Sequence, residues 1–160
     1  MHKLRKVSRQ DERSRRAARR SAEGKQRRIK RISAFKAPTP PDHNTMAVGI
    51  QAFFKIMEKW GLSPEEERTL LGLPARSTYY GWKRGDVGAV VHGMDLATRI
   101  SHLIGIFKGL EIIYEEPELA DTWVKRPNDA FNGQSALERM LAGQITDLAE
   151  VRHYIDSVVS

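Results

Sequence analysis

The 160-residue chain contains no cysteine, which excludes a disulfide scaffold, cysteine-ligated zinc and cysteine catalysis. Its first residues lack the apolar centre of a secretory signal. They are Arg-rich like a transit peptide, but Asp11, Glu12, Glu23 and the density of cations argue against one. No hydrophobic run is long enough to span a bilayer; the greasiest, residues 103–114, is broken by Lys108. A soluble, cytoplasmic protein with no membrane partner is therefore expected. The alternation that marks strands is missing, and so is any internal repeat. The five histidines (His2, His43, His92, His102 and His153) show no ligand spacing with one another or with an acid, so neither a metal nor a cofactor is expected. Gly85, Gly88 and Gly93 follow no strand, which removes a nucleotide fingerprint. Glu65-Glu66-Glu67 reads as a helix first turn, and no nucleophile stands beside a base, so enzymatic activity is not expected.

What is present is an uneven charge. The net +7 divides sharply: residues 1–36 hold 15 Lys or Arg against 3 acids, a net +12, and residues 37–160 hold 12 against 17, a net −5. The basic character belongs to an arm, and the globular part is mildly acidic. Within residues 1–36 the apolar side chains are few (Leu4, Val7, Ile29, Ile32 and Phe35), too few to build a core. Residues 12–20 have good helix formers that would order on a partner. Either a solubilising tail or a phosphate-tracking arm fits this composition, and nucleic acid is the favoured partner. Three prolines at 38, 40 and 41 make residues 37–45 a linker.

From Met46 the pattern becomes helical, with Ile50, Phe53, Phe54, Met57 and Trp60 on one face and Gly61 as terminator. Ser63-Pro64-Glu65-Glu66 is a strong helix start. A third helix spans about residues 75–84. A longer one, capped by Asp95, runs past Leu110. A short one covers residues 117–123. Ser135 caps another, with Glu138 placed for a capping box. The last helix carries Leu148, Val151, Tyr154, Ile155 and Val158 on one face. The fold class expected is all-α.

Residues 65–85 read as helix, Gly-containing turn, helix. On the second helix Ala75, Tyr79 and Trp82 share a face that should pack on Leu70 and on Phe53 or Phe54. Arg76, Ser77, Tyr80, Lys83 and Arg84 then point outward, with Thr78 at the edge. A recognition helix offers its N-terminal polar residues to base edges, so Arg76 suits guanine, and Ser77 and Thr78 suit bases or phosphates. Lys83 and Arg84 suit phosphates. The same residues equally suit a solvated surface helix. Gly81 in mid-helix costs roughly 1 kcal/mol relative to Ala. The run is similar to the Xre-type helix-turn-helix, in which a Ser-Thr-x-x-x-Trp-x-x-Gly recognition helix is common.

Further on come Trp123-Val-Lys-Arg-Pro-Asn128, then Ala130-Phe-Asn-Gly-Gln-Ser-Ala-Leu-Glu-Arg-Met-Leu141, then Gly143 and Val151-Arg-His-Tyr-Ile155. This ordered set resembles the antitoxin family named for Xre, MbcA and ParS, from about Ala47 to the end; the basic arm lies outside the likeness. Trp123, Phe131, Leu137, Met140, Leu141, Val151 and Tyr154 would form one apolar cluster, with Gly133 and Gly143 in left-handed or crowded positions and Pro127-Asn128 and Asn132 in turns. The resemblance implies a partner, a RES-type toxin that consumes NAD or ADP-ribosylates a target with it, whose active-site cleft the C-terminal region blocks. It implies repression through operator DNA and a homodimer, for which Ile106, Phe107 and Leu110 are candidates, though core packing explains them equally well. By position, the toxin-facing candidates are Arg152, His153, Asp156, Ser157 and Ser160, which equally suit a solvated face. The division that follows is arm 1–36, linker 37–45, helix-turn-helix and dimerisation region 46–114, and toxin-binding region 115–160. A stand-alone helix-turn-helix regulator and a non-specific nucleic-acid coating protein are the competing readings.

Overall fold

The computed structural model describes residues 16, 17, 19–21, 23, 39, 41–87 and 93–160. They fall into two units, Met1–Pro38 and Thr39–Ser160. In the first, Arg16, Ala17, Arg19, Arg20, Ser21 and Glu23 are helical and exposed, and Arg19 pairs with Glu23 at 3.3 Å. The remainder of the expected helix at 12–20, residues 37, 38 and 40 of the linker, and His2, Gly88 and His92 lie outside the described residues.

The second unit is all-α. Among its described residues no strand forms, and Pro127 and Ser135 make one isolated antiparallel bridge. The order is α1 (His43–Trp60), α2 (Pro64–Leu70), α3 (Arg76–Lys83), α4 (Met94–Ile113), α5 (Pro117–Trp123), a 3₁₀ turn (Asp129–Phe131), α6 (Ala136–Met140) and α7 (Ile145–Val159). Two helix starts differ from expectation. α1 begins before Met46 because the Asp42 carboxylate accepts the Thr45 N–H at 2.9 Å, which also holds its carboxyl below the usual range. α4 is capped by Gly93, not Asp95; the Asp95 carboxylate instead accepts from Arg99 Nε at 2.8 Å, one turn on.

α4 is apolar nearly all round because it is covered on two sides. Ile100, Leu103, Ile106 and Leu110 are buried between α1, which contributes Ile50, Phe53, Met57 and Trp60, and α7, which contributes Leu148, Val151 and Ile155. Each large side chain so buried contributes about 1.5–3 kcal/mol. Ile106 and Leu110 are thus wholly interior, which removes them as dimer contacts; of the three candidates only Phe107 reaches the surface. α7 lies close against two glycines of α4, and at Gly109 its approach depends on the missing side chain. A Cβ on Gly109 would lie 2.2 Å from Ile155 Cγ2, and one on Gly105 would lie 1.0 Å from an Arg152 guanidinium nitrogen. α4 and α7 therefore run side by side in the same direction. Val158 leaves the expected buried face and is 51% exposed.

The helix-turn-helix and the C-terminal helices do not have separate cores. Buried Arg99 of α4 joins them: its guanidinium donates to the Gly143 carbonyl at 3.1 Å, before α7, and lies 3.5 Å from the Leu70 carbonyl at the end of α2. A buried guanidinium is tolerable only with its donors used, and here they are used to close two helix ends.

Candidate functional site

Two surfaces carry the candidate residues. The first is the helix-turn-helix. The Ser63 capping box starts α2 as its sequence demands, with Glu66 N–H to Ser63 Oγ at 3.3 Å and Ser63 N–H to Glu66 Oε2 at 2.7 Å. The turn after α2 has Gly72 and, less expectedly, Leu73 in the left-handed region, at φ 85° and 59°. A non-glycine residue there costs roughly 1–2 kcal/mol. Arg68 supplies the compensation: its carbonyl accepts the Leu73 N–H at 2.8 Å, and its guanidinium donates to the Pro74 carbonyl at 2.9 and 3.2 Å.

α3 then presents one face inward. Tyr79 and Trp82 are buried, and Tyr79 meets Phe54 edge-on at 5.7 Å. Ala75 does not join them; it is the exposed N-cap, one residue before the helix. Arg76, Ser77, Thr78, Tyr80, Lys83 and Arg84 are all exposed. Tyr80 meets Tyr79 edge-on at 4.9 Å, and two of the others have charged partners. Arg76 pairs with exposed Glu65 at 2.9 Å, a contact that solvent weakens. Lys83 is more firmly engaged: Nζ donates to buried Glu67 at 3.0 Å and to the Tyr79 hydroxyl at 3.1 Å. The Tyr79 hydroxyl in turn donates to Glu67. Burial, then the bond to Glu67, pushes the Tyr79 phenol up to about 12. Ser77, Thr78, Tyr80 and Arg84 complete an outward polar face with an excess of positive charge.

The second surface is the C-terminal assembly. Asn128 Oδ1 accepts the Ala130 N–H at 2.9 Å, and Asn128 N–H donates to Gln134 O at 3.0 Å, closing a small loop. Asn132 and Gly133 turn that loop at φ 55° and 83°. The turn aims Phe131 inward, edge-on to Tyr154 at 5.3 Å, while Trp123 stacks on the other side of Tyr154 at 6.0 Å. Leu137, Met140 and Val151 are buried around them, with Leu141 packed alongside. Ser135 and Glu138 make both bonds of a second capping box, 3.1 and 2.7 Å, which hold the Glu138 carboxyl below its usual range.

The outward residues of α7 are less available than their positions suggest. Arg152 and Asp156 pair with each other at 2.8 Å and are half-buried against α4. Burial, then the Arg152 charge, lowers the pKa of neighbouring His102. The Ser157 hydroxyl donates to Tyr154 O and the Ser160 hydroxyl to Asp156 O, each at 2.7 Å. His153 is exposed. The roles of Glu67, Arg68 and Arg99 are not legible in the sequence, because each has a partner on another helix or in a turn.

Residues 109–158, which hold this second surface, match the antitoxin Xre/MbcA/ParS C-terminal toxin-binding domain. An uncharacterized protein, y4oB, of Sinorhizobium fredii is 43% identical over 108 residues, covering 68% of this chain and 81% of that protein. No solved structure matches. The chain belongs to the Xre/MbcA/ParS antitoxin family. Its role is that of an antitoxin, a regulatory protein whose partner is a toxin. Among the described residues no helix is long and apolar enough to cross a membrane.

Proposed function

We propose that this antitoxin neutralises a RES-type toxin, one that consumes NAD or ADP-ribosylates a target with it, by occluding the toxin's active-site cleft with its C-terminal helices. The observation that carries the reading is the match of residues 109–158 to a toxin-binding domain, in a segment folded around Trp123, Phe131 and Tyr154. In the same proposal α3 reads operator DNA through Arg76, Ser77, Thr78 and Tyr80, Arg84 neutralises phosphate, and the complex represses its own operon. Lys83 contributes chiefly by fixing α3, since its ammonium is held by Glu67. A homodimer belongs to this proposal, because paired helix-turn-helix units read paired half-sites. Occlusion requires no reaction by the antitoxin itself.

Co-expression with the product of the adjacent open reading frame tests the reading. That product alone should arrest growth and deplete cellular NAD or ADP-ribosylate a target; this chain should restore growth. A harmless neighbour, combined with tight operator binding by this chain alone, would favour the stand-alone regulator.

A further inference from the structure

We infer that Leu73, in the turn that leads into α3, is a further specificity residue of the helix-turn-helix and reads the methyl group of a thymine. The inference rests on the DNA reading of α3 and adds an apolar contact to its polar ones. Leu73 combines two features that conflict in a free chain. Its backbone is left-handed, at φ 59°, a conformation in which a bulky side chain is strained. Its side chain is 63% exposed, so burial in the free chain offsets little of that cost. A singly exposed leucine needs no explanation. A strained and exposed one does, and strain of this kind gathers at sites of contact. The bonds that hold the turn do not require leucine. The Arg68 carbonyl accepts the Leu73 N–H, and the Arg68 guanidinium donates to the Pro74 carbonyl. Both are backbone contacts that a glycine at position 73 would keep. Pro74 also disfavours the ordinary helical alternative at residue 73. The leucine side chain thus stands in water on a backbone that is pinned from both sides.

The turn adjoins the start of α3 in space as well as in sequence. The Arg68 guanidinium that grips Pro74 also donates to Glu65 at 3.0 Å, and the other oxygen of Glu65 accepts from Arg76 at 2.9 Å. The Arg76 side chain therefore lies one carboxylate away from the clamp on the turn. Ala75, Arg76, Ser77 and Thr78 continue the exposed surface beyond Pro74. Three chain steps separate residues 73 and 76, at most about 11 Å, which spans about three base pairs at ~3.4 Å each. A leucine side chain neither donates nor accepts hydrogen bonds, so it matches neither a phosphate nor the polar edge of a base. The apolar group that base edges present in the major groove is the thymine C5-methyl. A branched aliphatic side chain on a fixed backbone meets that methyl with little further loss of freedom.

The test uses the DNA upstream of this gene, footprinted with the full chain, alone and bound to the product of the adjacent open reading frame. Within the protected site each thymine in turn is replaced by deoxyuridine, which removes only the methyl group. One such replacement should weaken binding by the parent about 4-fold, the worth of one buried methyl. Leu73→Gly suits the left-handed backbone and should melt no lower than the parent. It should bind the thymine duplex about 4-fold or more weakly, and bind the thymine and deoxyuridine duplexes equally. Leu73→Asn, which also tolerates this backbone, should behave likewise. A merely looser turn would weaken both duplexes alike, so the ratio between them isolates the contact. A parent indifferent to every deoxyuridine, or a glycine variant that keeps the parent's ratio, overturns the inference and leaves the DNA reading standing. If the parent, free or toxin-bound, does not prefer this DNA to a scrambled duplex, the DNA reading falls and the inference with it.

Discussion

A carboxylate taken out of water must find substitutes for its hydration, and Glu67 finds both on α3, in the Tyr79 hydroxyl and the Lys83 ammonium. The arrangement welds the recognition helix to its supporting helix at one point. Glu67→Gln keeps an acceptor for Tyr79 but removes the charge that holds Lys83. Because Lys83 can swing into solvent, the cost should fall below that of a fully buried pair, at about 1–3 kcal/mol in a urea titration. The pH dependence has a definite sign. Burial and the bond to Glu67 keep the Tyr79 phenol protonated in the fold up to about 12, whereas the unfolded chain releases that proton near its ordinary value of 10. Stability is intact below pH 10 and falls as pH rises toward 12. Lys83 acts in the same direction: burial opposes its charge, but the bonds to Tyr79 and Glu67 outweigh burial and raise its pKa. Tyrosinate absorbance should show a phase from Tyr79 that titrates at about 12, and Glu67→Gln should move that phase down. A parent titration with no late tyrosine would refute this account of Glu67. The triad was illegible in the sequence because its members sit 12 and 16 residues from Glu67, a relation that only helix packing creates.

At the level of the helices, the contrast between Gly105 and Gly109 separates helix propensity from packing. Replacing Gly by Ala inside a helix gains roughly 1 kcal/mol. At Gly105 the obstacle is the far end of Arg152, which can swing away, so Gly105→Ala should be neutral or stabilising by up to about 1 kcal/mol. At Gly109 the obstacle is the branched Ile155 side chain in the core. Overpacking there costs about 1–3 kcal/mol, so Gly109→Ala should lower the melting temperature; equal melting of the two variants would contradict the packing described. Features of this local kind were largely readable in advance. The capping boxes at Ser63 and Ser135, the prolines opening α2 and α5, and the left-handed Gly133 and Gly143 all act within a few residues. Features set by neighbours were not. Asp42 follows two prolines and looked like linker, yet it caps α1. Asp95 looked like a cap, yet Arg99 claims it. The helical period carries Val158 onto the buried face, yet it is exposed near the end of α7. α4, apolar over most of its surface, offers no single stripe from which to tell core from contact, which leaves both readings open for Ile106 and Leu110 until burial decides for the core.

For the whole molecule the deciding quantity is the separation of charge from fold. Residues 1–36 carry a net +12 and the rest a net −5, so removing the arm turns a chain of net +7 into an acidic one. If the arm tracks phosphates in the proposed operator complex, its loss acts through counterion release, and the slope of log affinity against log salt should flatten by about 0.9 for every phosphate contact removed. Discrimination between operator and unrelated DNA should survive, because base edges are read elsewhere, by α3. Arg76→Ala should do the opposite. It removes one candidate guanine contact, worth about 1–3 kcal/mol of discrimination if bidentate, and changes the salt slope little. Toxin binding should be unaffected by either change, since both lie outside the matched segment 109–158. Mobility-shift titrations at several salt concentrations, with operator and scrambled duplexes in parallel, separate the two effects. A truncated chain with an unchanged salt slope would take the arm off the DNA and leave it as a solubilising tail. A truncated chain that no longer binds DNA at all would make the arm, and not α3, the seat of nucleic-acid binding, as in a coating protein.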